Sequence, residues 1–268
     1  MKLLHKNELS PSPLMPVLFV GHGSPMNAIE DNEFSQTWQQ LGTSLPRPQA
    51  ILCVSAHWET RGTYLTAMPN PKTIHDFGGF PRELFEVQYP APGMPELATE
   101  IKENATTNIG LDRSEWGFDH GAWSVMRHIY PKADIPMLQL SIDHFQRPEY
   151  HYALAKELAF LRSRGVLIVG SGNIVHNLRQ VNWQDENASY DWALEVRDKV
   201  NTAILDGNHQ SIIDFQHLGA AFQQAIPTAE HYIPLLYALG LQTKADKVSL
   251  FNDKIIMGSL SMTGVMIG

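Results

Sequence analysis

Histidines follow two of the apolar runs that are typical of buried strands. His22 comes just after Val17–Val20, and His57 comes soon after Ala50–Val54. Ligands of open α/β sheets bind beyond the carboxyl ends of the strands. If these strands are parallel neighbours, both imidazoles reach a common point, and imidazole is a good ligand for Zn and Fe. The pair therefore predicts a metal site, although a single histidine is more often a hydrogen-bonded residue of the core or surface.

The sequence offers several candidates for a third ligand. His176 follows the apolar run Val166–Val169, and Glu230 and His231 are adjacent. Neighbouring residues point in different directions on a helix or a strand, so Glu230 and His231 are not expected to bind one ion together. His120 stands among glycine and aromatic residues, where it suits either catalysis or a hydrogen bond to a loop carbonyl. The residue pattern alone does not choose among these candidates.

The composition excludes several classes of function. The 268 residues include 20 basic and 28 acidic side chains, giving a formal charge of -8, and 43% are hydrophobic. Net acidity argues against sequence-independent binding of nucleic acid or anionic lipid, because both need surplus Lys and Arg. The single cysteine, Cys53, excludes an internal disulfide framework and a thiolate zinc cluster. Any metal must therefore be held by nitrogen and oxygen.

The same sequence predicts a cytoplasmic protein. Residues 1–16 contain charged residues and prolines but lack the apolar stretch of a secretion signal. The other apolar runs reach only strand length, far below the roughly 20 residues that cross a bilayer. No heptad pattern is present, so we expect a monomer or a small homo-oligomer.

Short apolar runs alternate with stretches of helical spacing, which predicts an α/β fold. The predicted strands alternate little between apolar and polar residues, as in a mostly parallel or mixed central sheet with helices on both faces. They span 17–20, 50–54, 135–140 and 166–169, with one or two more in 247–267; helices are predicted at 95–105, 121–129, 149–164 and 190–205.

No internal repeat or linker divides the chain, which indicates one domain over residues 16–268. Residues 1–15 are expected to form a poorly ordered amino-terminal extension. Residues 70–95 are rich in Pro and Gly and lack periodicity. A long irregular loop in a compact domain usually forms the wall or lid of a site.

Six segments in chain order resemble the class III (LigB-type) extradiol ring-cleavage dioxygenases, in the branch of the 4,5-DOPA dioxygenases. The resemblance runs from Pro16 to the carboxyl terminus. Its first segment, Gly21-His-Gly-Ser-Pro-Met26, also has a partial counterpart in tetrapyrrole chelatases, so the specificity lies in the whole set. The segments span 21–26, 55–58, 73–81, 116–123, 170–179 and 230–234.

The resemblance implies a mononuclear non-haem metal, with Fe(II) for activity and Zn(II) often present in isolated protein. His22, His57 and His231 correspond to the metal ligands. His176 corresponds to a histidine at the edge of the metal, which is an acid-base catalyst, a fourth ligand, or each in turn. The wider class uses two histidines and one carboxylate, so His231 replaces a carboxylate here and makes Zn binding easier.

The resemblance also assigns residues to catalysis and to substrate binding. His120 corresponds to a catalytic histidine near the substrate. Ser24, His75 and Asn173 correspond to substrate-binding positions, and the loop from His75 is expected to cover the substrate.

The implied reaction is the extradiol opening of a catechol such as L-DOPA by O₂, with incorporation of both oxygen atoms. The product is a muconic semialdehyde, which for DOPA is a seco-DOPA formed by either 4,5 or 2,3 cleavage. Arg82 or Arg179 is a candidate partner for the substrate carboxylate, because Arg binds carboxylates in bidentate fashion. The expected partners are thus the catechol and O₂, without nucleic acid or membrane.

Three other functions remain compatible with the residue pattern. A zinc-dependent hydrolase would use three histidines and a zinc-bound hydroxide, with His176 or Glu230 as the base. A chelatase-like metal-handling protein would need a broad cleft for a macrocycle. A domain that only stores metal or binds small molecules would show no turnover with any metal.

Overall fold

Strands and helices alternate along residues 9–268, the part of the chain that the computed structural model describes. The strands are β1 (Val17–Gly21), β2 (Ala50–Thr60), β3 (Thr63–Thr66), β4 (Lys72–Thr73), β5 (Ile109–Asp112), β6 (Gly117–Phe118), β7 (Met137–Asp143), β8 (Val166–Gly172), β9 (Val248–Phe251), β10 (Ile255–Ile256), β11 (Leu260–Ser261) and β12 (Gly264–Ile267). The α-helices are α1 (Glu33–Ser44), α2 (Arg82–Phe85), α3 (Pro95–Asn104), α4 (His120–Ile129), α5 (Pro148–Glu157), α6 (Asp191–Leu205), α7 (His209–Ile213), α8 (Ala220–Ala225) and α9 (Ile233–Gly240). Four 3-10 turns span Pro25–Ala28, Ala159–Arg164, Leu178–Gln180 and Phe215–His217.

The main sheet has eight strands in the order β5-β3-β7-β2-β8-β1-β12-β9. Its central strands β7, β2, β8 and β1 run parallel, whereas β12 is antiparallel to β1 and β3 is antiparallel to β7. β1 and β2 are therefore parallel without being neighbours, because β8 pairs with both. The carboxyl ends of β1, β8 and β2 open on the same edge of the sheet, which places the residues after them close together.

Helices cover both faces of the sheet, as the near-continuous apolar strands predict. Val17 and Phe19 of β1 belong to one apolar core, which α3, α5, α6 and α9 complete. Leu18 and Val20 belong to the opposite core, which α1 and α4 complete. The predicted α/β fold, with a mixed central sheet between two helical layers, is confirmed.

Strand β2 is longer than predicted, and the difference matters for His57. The predicted strand ends at Val54, but β2 continues to Thr60 through an irregularity in its pairing with β7 between Val54 and Glu59. His57 lies in this irregular stretch. A bulge inserts an extra residue and re-aims a side chain, so His57 faces the site from within a strand.

The apolar pattern predicted some helices poorly. The helix predicted at 149–164 is α5 followed by a 3-10 turn, and Gly165 ends it with a left-handed φ of 71°. Helix α9 was not predicted, because every residue from Ile233 to Gly240 is buried and the helix has no polar face. Without a polar face, a short helix shows no amphipathic period.

The predicted extension, residues 1–15, lies partly outside the described residues, which begin at Leu9. Leu9 and Met15 are buried, and the backbone N–H groups of Ser12 and Met15 donate to carbonyls of Ser163 and Arg162 at 2.9 Å. In residues 9–268 we find no helix that combines the length and apolar character needed to cross a membrane.

Candidate metal and catalytic site

His22 lies at the carboxyl end of β1, where its backbone N–H donates to the Gly172 carbonyl at the end of β8. The Ser171 hydroxyl donates to the Gly121 carbonyl at 2.5 Å and lies 3.0 Å from His22 Nδ1. Because the hydroxyl hydrogen is used on Gly121, the Ser171 oxygen accepts from His22 Nδ1. The free lone pair of His22 is therefore on Nε2.

His57 faces His22 from the irregular stretch of β2. Its Nδ1 lies 3.4 Å from a carboxylate oxygen of Asp76, which can only accept a hydrogen. Its Nε2 lies 3.1 Å from His22 Nε2. Two nitrogen lone pairs at this distance repel each other unless a proton or a cation lies between them. The pair thus has the geometry of two ligands of one metal ion.

His231 completes a triangle with these two rings. Its Nδ1 lies 3.2 Å from Glu230 Oε1, so its Nε2 is also the free nitrogen. The ring centroids are 5.0 Å apart for His22 and His57, 5.3 Å for His22 and His231, and 5.0 Å for His57 and His231. Three imidazoles at tetrahedral angles, each bound to an ion at about 2.0–2.1 Å, have centroids roughly 5.2 Å apart. The donor set therefore fits a single metal ion.

A histidine that binds a metal usually donates its other ring N–H to an oxygen atom of the protein, and each of these three rings has a carboxylate or hydroxyl oxygen near Nδ1. Such partners fix the tautomer and the ring orientation. Here they are Ser171, Asp76 and Glu230. Glu230 thus contacts Nδ1 of the adjacent His231 ring, although adjacent side chains were expected to point in different directions.

His120 is a second candidate for the third ligand. It begins α4, its Nδ1 lies 2.9 Å from Asp76, and its donor nitrogen lies within 4.8 Å of those of His22 and His57. Its ring centroid is only 3.9 Å from that of His57. This spacing is shorter than two ligands of one tetrahedral ion require, whereas His231 has the required spacing.

His176 packs flat against His231, with ring centroids 3.5 Å apart and an interplanar angle of 7°. Donor atoms of His176, Glu230 and His231 lie within 4.8 Å of one another. His176 is therefore at the edge of the histidine triangle, where it reaches a bound substrate or an ion.

Burial keeps these imidazoles neutral. Burial and then the neighbouring His120 lower the pKa of His57 to about 3, against the charge of Asp76. Burial also lowers the pKa of His176 to about 4, against the charge of Glu230. Burial and then neighbouring histidines also hold the pKa values of His22 and His231 well below 6.5. Neutral imidazole is the form that binds metal.

The histidines line the inner end of a cavity of about 650 Å³. This volume lies within the usual range of small-molecule sites, about 300–1,000 Å³. The remaining walls are mainly apolar and include Pro25, Met26, Phe77, Phe80 and Leu260. The cavity is therefore large enough for a single aromatic ring between apolar walls.

The predicted substrate-binding residues are only partly in this cavity. Ser24 lines it. The side chain of Asn173 instead donates to the Ser261 carbonyl at 2.7 Å, and its backbone N–H donates to the His231 carbonyl at 2.8 Å. Asn173 thus supports the His231 segment and is not among the residues that line the cavity; its assignment to substrate binding stays a prediction.

His75 does not line the cavity either, and its assignment to the substrate stays a prediction. Its Nε2 lies 2.9 Å from the Val87 carbonyl, and its ring packs among those of Phe77, Phe85 and Trp123. These contacts fasten the loop from which the next two residues reach the cavity. The prediction that this segment forms a wall of the site is borne out by Asp76, Phe77 and Phe80.

The two arginines predicted to meet a substrate carboxylate lie elsewhere. Arg82 is 92% exposed in its side chain and pairs with Glu86 at 2.8 Å. Arg179 is exposed as well. The charged residues that line the cavity within residues 9–268 are carboxylates, Glu30, Asp76 and Glu186, without Lys or Arg. Neither Arg82 nor Arg179 lines the cavity, because an Arg that is near a motif in sequence need not face the same cavity.

Asp119 is a buried residue that sequence reasoning missed. It caps the amino terminus of α4 and accepts hydrogen bonds from the side chains of Ser55 and Gln139. Burial, followed by the charge of Asp76, raises its pKa to about 6, and the hydrogen bond from Ser55 opposes this shift. The sequence signal that could have identified it is an Asp, a preferred N-cap residue, directly before His120 at the start of a predicted helix.

The chain resembles known proteins over nearly its full length. The family described as the catalytic LigB subunit of aromatic ring-opening dioxygenase matches residues 15–265. A protein of Escherichia coli strain K12 named 4,5-DOPA dioxygenase extradiol is 48% identical over 270 residues, covering 99% of each chain. A protein of the same name from Beta vulgaris is 34% identical over 251 residues, covering 91% of this chain and 92% of the relative.

A crystal structure of an uncharacterized protein from Escherichia coli K12 has the same fold. It matches with a TM-score of 0.83 at 43% identity and covers 95% of this chain and 100% of the other. The structural match agrees with the single α/β fold described above. The chain belongs to the family of the catalytic LigB subunit of aromatic ring-opening dioxygenases.

Proposed function

We propose that this chain opens the ring of a catechol beside its paired hydroxyl groups, with O₂ as the second substrate and Fe(II) as the active metal. The observation that supports this most is the triangle of His22, His57 and His231 at the inner end of an apolar cavity. Relatives named 4,5-DOPA dioxygenase extradiol make L-DOPA the first catechol to test. Its product would be a muconic semialdehyde, seco-DOPA.

His22, His57 and His231 would hold the metal through their Nε2 atoms. We choose His231 over His120 because its ring spacing fits a common ion and that of His120 does not. Bound Fe(II) would supply the electron transfer between catechol and O₂ that redox-inert Zn(II) cannot supply. Zn(II) is nevertheless expected in protein as isolated, because three neutral nitrogen donors suit it well.

His176 and His120 would handle the protons of the catechol. His176 is neutral at physiological pH because burial lowers its pKa to about 4, so it is ready to accept a hydroxyl proton and later return it to the product. The Nδ1 of His120 is engaged by Asp76, which leaves Nε2 to accept a hydrogen bond from the second hydroxyl. General acid-base catalysis by such groups contributes about 10²–10⁴ in rate.

The apolar walls would position the ring and keep water away from it. Phe77 and Phe80, on the loop between β4 and α2, provide aromatic surface, and Met26 and Leu260 provide aliphatic surface. Ser24 lines the same cavity and has a hydroxyl within reach of a polar substrate group. Exclusion of water strengthens every polar contact at the reacting edge of the substrate.

The test is oxygen uptake by protein reconstituted with Fe(II) under anaerobic conditions. After addition of air and L-DOPA, caffeic acid or plain catechol, we expect one O₂ consumed per yellow semialdehyde formed. Protein loaded with Zn(II) and free of iron should bind catechols without cleaving them. Oxygen uptake by the Zn(II) form, or the absence of turnover with every catechol on Fe(II), contradicts the proposal.

The zinc-dependent hydrolase is less well supported by the site. One of its two predicted bases, Glu230, is engaged by His231 Nδ1, although the other, His176, lines the cavity. The cavity walls are mainly apolar, whereas a hydrolase needs room for activated water and a leaving group. The cytoplasmic location, the monomeric or small homo-oligomeric state and the single catalytic domain over residues 16–268 stay predictions.

A further inference from the structure

Asp76 occupies a position that the proposed function does not explain by itself. It lies on the loop between β4 and α2, and its side chain is only 16% exposed. One of its carboxylate oxygens accepts from the backbone N–H of His120 at 2.8 Å. The other lies 2.9 Å from His120 Nδ1 and 3.4 Å from His57 Nδ1.

This single carboxylate therefore touches two histidines with different roles in the proposed reaction. His57 would be a metal ligand, and His120 would contact the substrate. Because a carboxylate only accepts, its second oxygen favours a hydrogen on Nδ1 of each neutral ring that faces it. Both rings then present Nε2 without a hydrogen, which is the state that each role needs.

The two residues before Asp76 are firmly attached to the rest of the protein. The backbone N–H of Ile74 donates to the Phe118 carbonyl at 2.7 Å, and the Ile74 carbonyl accepts from the Trp123 indole at 2.8 Å. The Nε2 of His75 lies 2.9 Å from the Val87 carbonyl oxygen. These contacts hold the chain next to Asp76 without using the imidazole rings that its carboxylate contacts.

We propose that Asp76 is a positioning residue that fixes the tautomer and relative orientation of His57 and His120, and so couples the cavity loop to the metal site. The inference rests on the proposed function for the roles of the two histidines. Its physical content is independent of turnover, because tautomer and ring orientation determine metal affinity even without substrate. Loss of an outer partner of this kind typically weakens metal binding about 10–100-fold.

The test compares Asp76→Asn, Asp76→Glu and the wild-type protein, without substrate. The readouts are the Zn(II) dissociation constant from competition with a chromophoric chelator and the visible spectrum of the Co(II) form. Asn has the shape of Asp, but it replaces one acceptor oxygen by an NH₂ donor and removes the negative charge. Glu keeps the carboxylate on a side chain that is one methylene longer. We expect Asn to weaken Zn(II) binding about 10–100-fold and to alter the Co(II) spectrum, and Glu to recover part of the affinity.

A purely structural role predicts the opposite order, with Asn harmless because it fills the same space and Glu harmful because it does not. That order, or unchanged affinity and spectrum in Asp76→Asn, overturns the inference. If Asp76→Asn does not fold, Asp76→Ser takes its place in the comparison with Glu.

Asp112→Asn is the matched control. Asp112 also fastens a loop through its carboxylate, which accepts from the backbone N–H groups of Ser114, Glu115 and Trp116. It should leave Zn(II) affinity and the Co(II) spectrum unchanged. Because no catechol enters these measurements, failure of the wild-type Fe(II) form to cleave catechols would refute the proposed function without deciding the role of Asp76.

Discussion

The rings of His22, His57 and His231 differ from ordinary buried histidines in how their nitrogens are used. A buried histidine normally satisfies both nitrogens by hydrogen bonds. In these rings an oxygen atom engages Nδ1, and the remaining nitrogens converge. The facing Nε2 atoms of His22 and His57 lie 3.1 Å apart, so their lone pairs repel each other. A cation bound between them would remove this repulsion.

The choice of the third ligand gives the first prediction at this scale. His231→Ala should abolish stoichiometric metal binding, because it removes one corner of the triangle. His120→Ala should keep the metal, because the ring of His120 lies too close to that of His57 for both to bind one ion. It should lose most turnover, because it removes a proposed contact with the substrate hydroxyl. Metal analysis of the two purified variants by mass spectrometry decides the matter, and the reverse outcome would make His120 the ligand.

A second prediction separates two roles of His176. If His176 accepts and returns a proton, His176→Ala should retain one metal per chain and lose about 10²–10⁴ in kcat. The measurement is metal content together with the turnover number on L-DOPA with saturating Fe(II). Loss of the metal in this variant would show that His176 is a fourth ligand.

The strand β8 is the element that brings the site together. It lies between β1 and β2, pairs with both in parallel, and its last residue, Gly172, pairs with Gly21. Its carboxyl end also contacts the segment before α9, where Asn173 N–H donates to the His231 carbonyl. One strand thereby fixes the distances among histidines that are far apart in sequence.

Gly172→Ala tests this dependence. A Cβ on Gly172 would lie 2.1 Å from the His231 carbonyl oxygen, so the backbone of His231 must move. We expect weaker Zn(II) binding and a loss of about 1–3 kcal/mol in the free energy of unfolding, as for overpacked sites. Gly78→Ala is the control, because a Cβ there meets no atom within 4 Å. Equal metal affinity in the two variants would contradict the role of β8.

At the scale of the whole molecule, a buried ion pair joins segments that surround the sheet. The Arg162 guanidinium, with 1% of its side chain exposed, contacts Asp246 at 2.7 Å. It also donates to the carbonyls of Met15 and Leu241. The amino-terminal segment, the turn after α5 and the loop before β9 are therefore held at one point.

Removal of this pair should affect stability without changing the chemistry of the site. Asp246→Asn leaves the Arg162 charge buried and unpaired, which typically costs about 3–5 kcal/mol. Urea unfolding at neutral pH should show this loss, while metal content stays at the wild-type value. Asp198→Asn, whose side chain is 63% exposed beside Arg197, should change stability little. A neutral effect of Asp246→Asn would contradict the prediction.

The same pair predicts a pH dependence. The hydrogen bond from Arg162 lowers the pKa of Asp246 to about 2, against burial, which raises it. Because the folded-state pKa lies below the unfolded value of about 3.9, the stabilisation is complete above pH 4 and is lost as the pH falls toward 2. Asp246→Asn should therefore flatten the stability profile in this window.

The residues that follow buried strands were identifiable from the sequence, and so was the family. Apolar runs without alternation indicate strands covered on both faces, so the position of His22 at a strand end followed from local pattern. The bulge that carries His57 was not identifiable, because it exists only relative to the pairing of β2 with β7. The same holds for α9, whose burial on all sides removes the period that marks a helix.

The sequence alone determined which imidazoles were available and on which edge of the sheet to expect them. Only the tertiary structure decided which nitrogen of His22 and of His57 is free, because the partners at Nδ1 of these two rings come from distant segments. Ser171 lies 149 residues from His22 in sequence, and Asp76 reaches His57 and His120 from a separate loop. It likewise placed Asp76 in the lining of the cavity and left His75 and Asn173 outside that lining, since a side chain's direction depends on packing that no local pattern encodes.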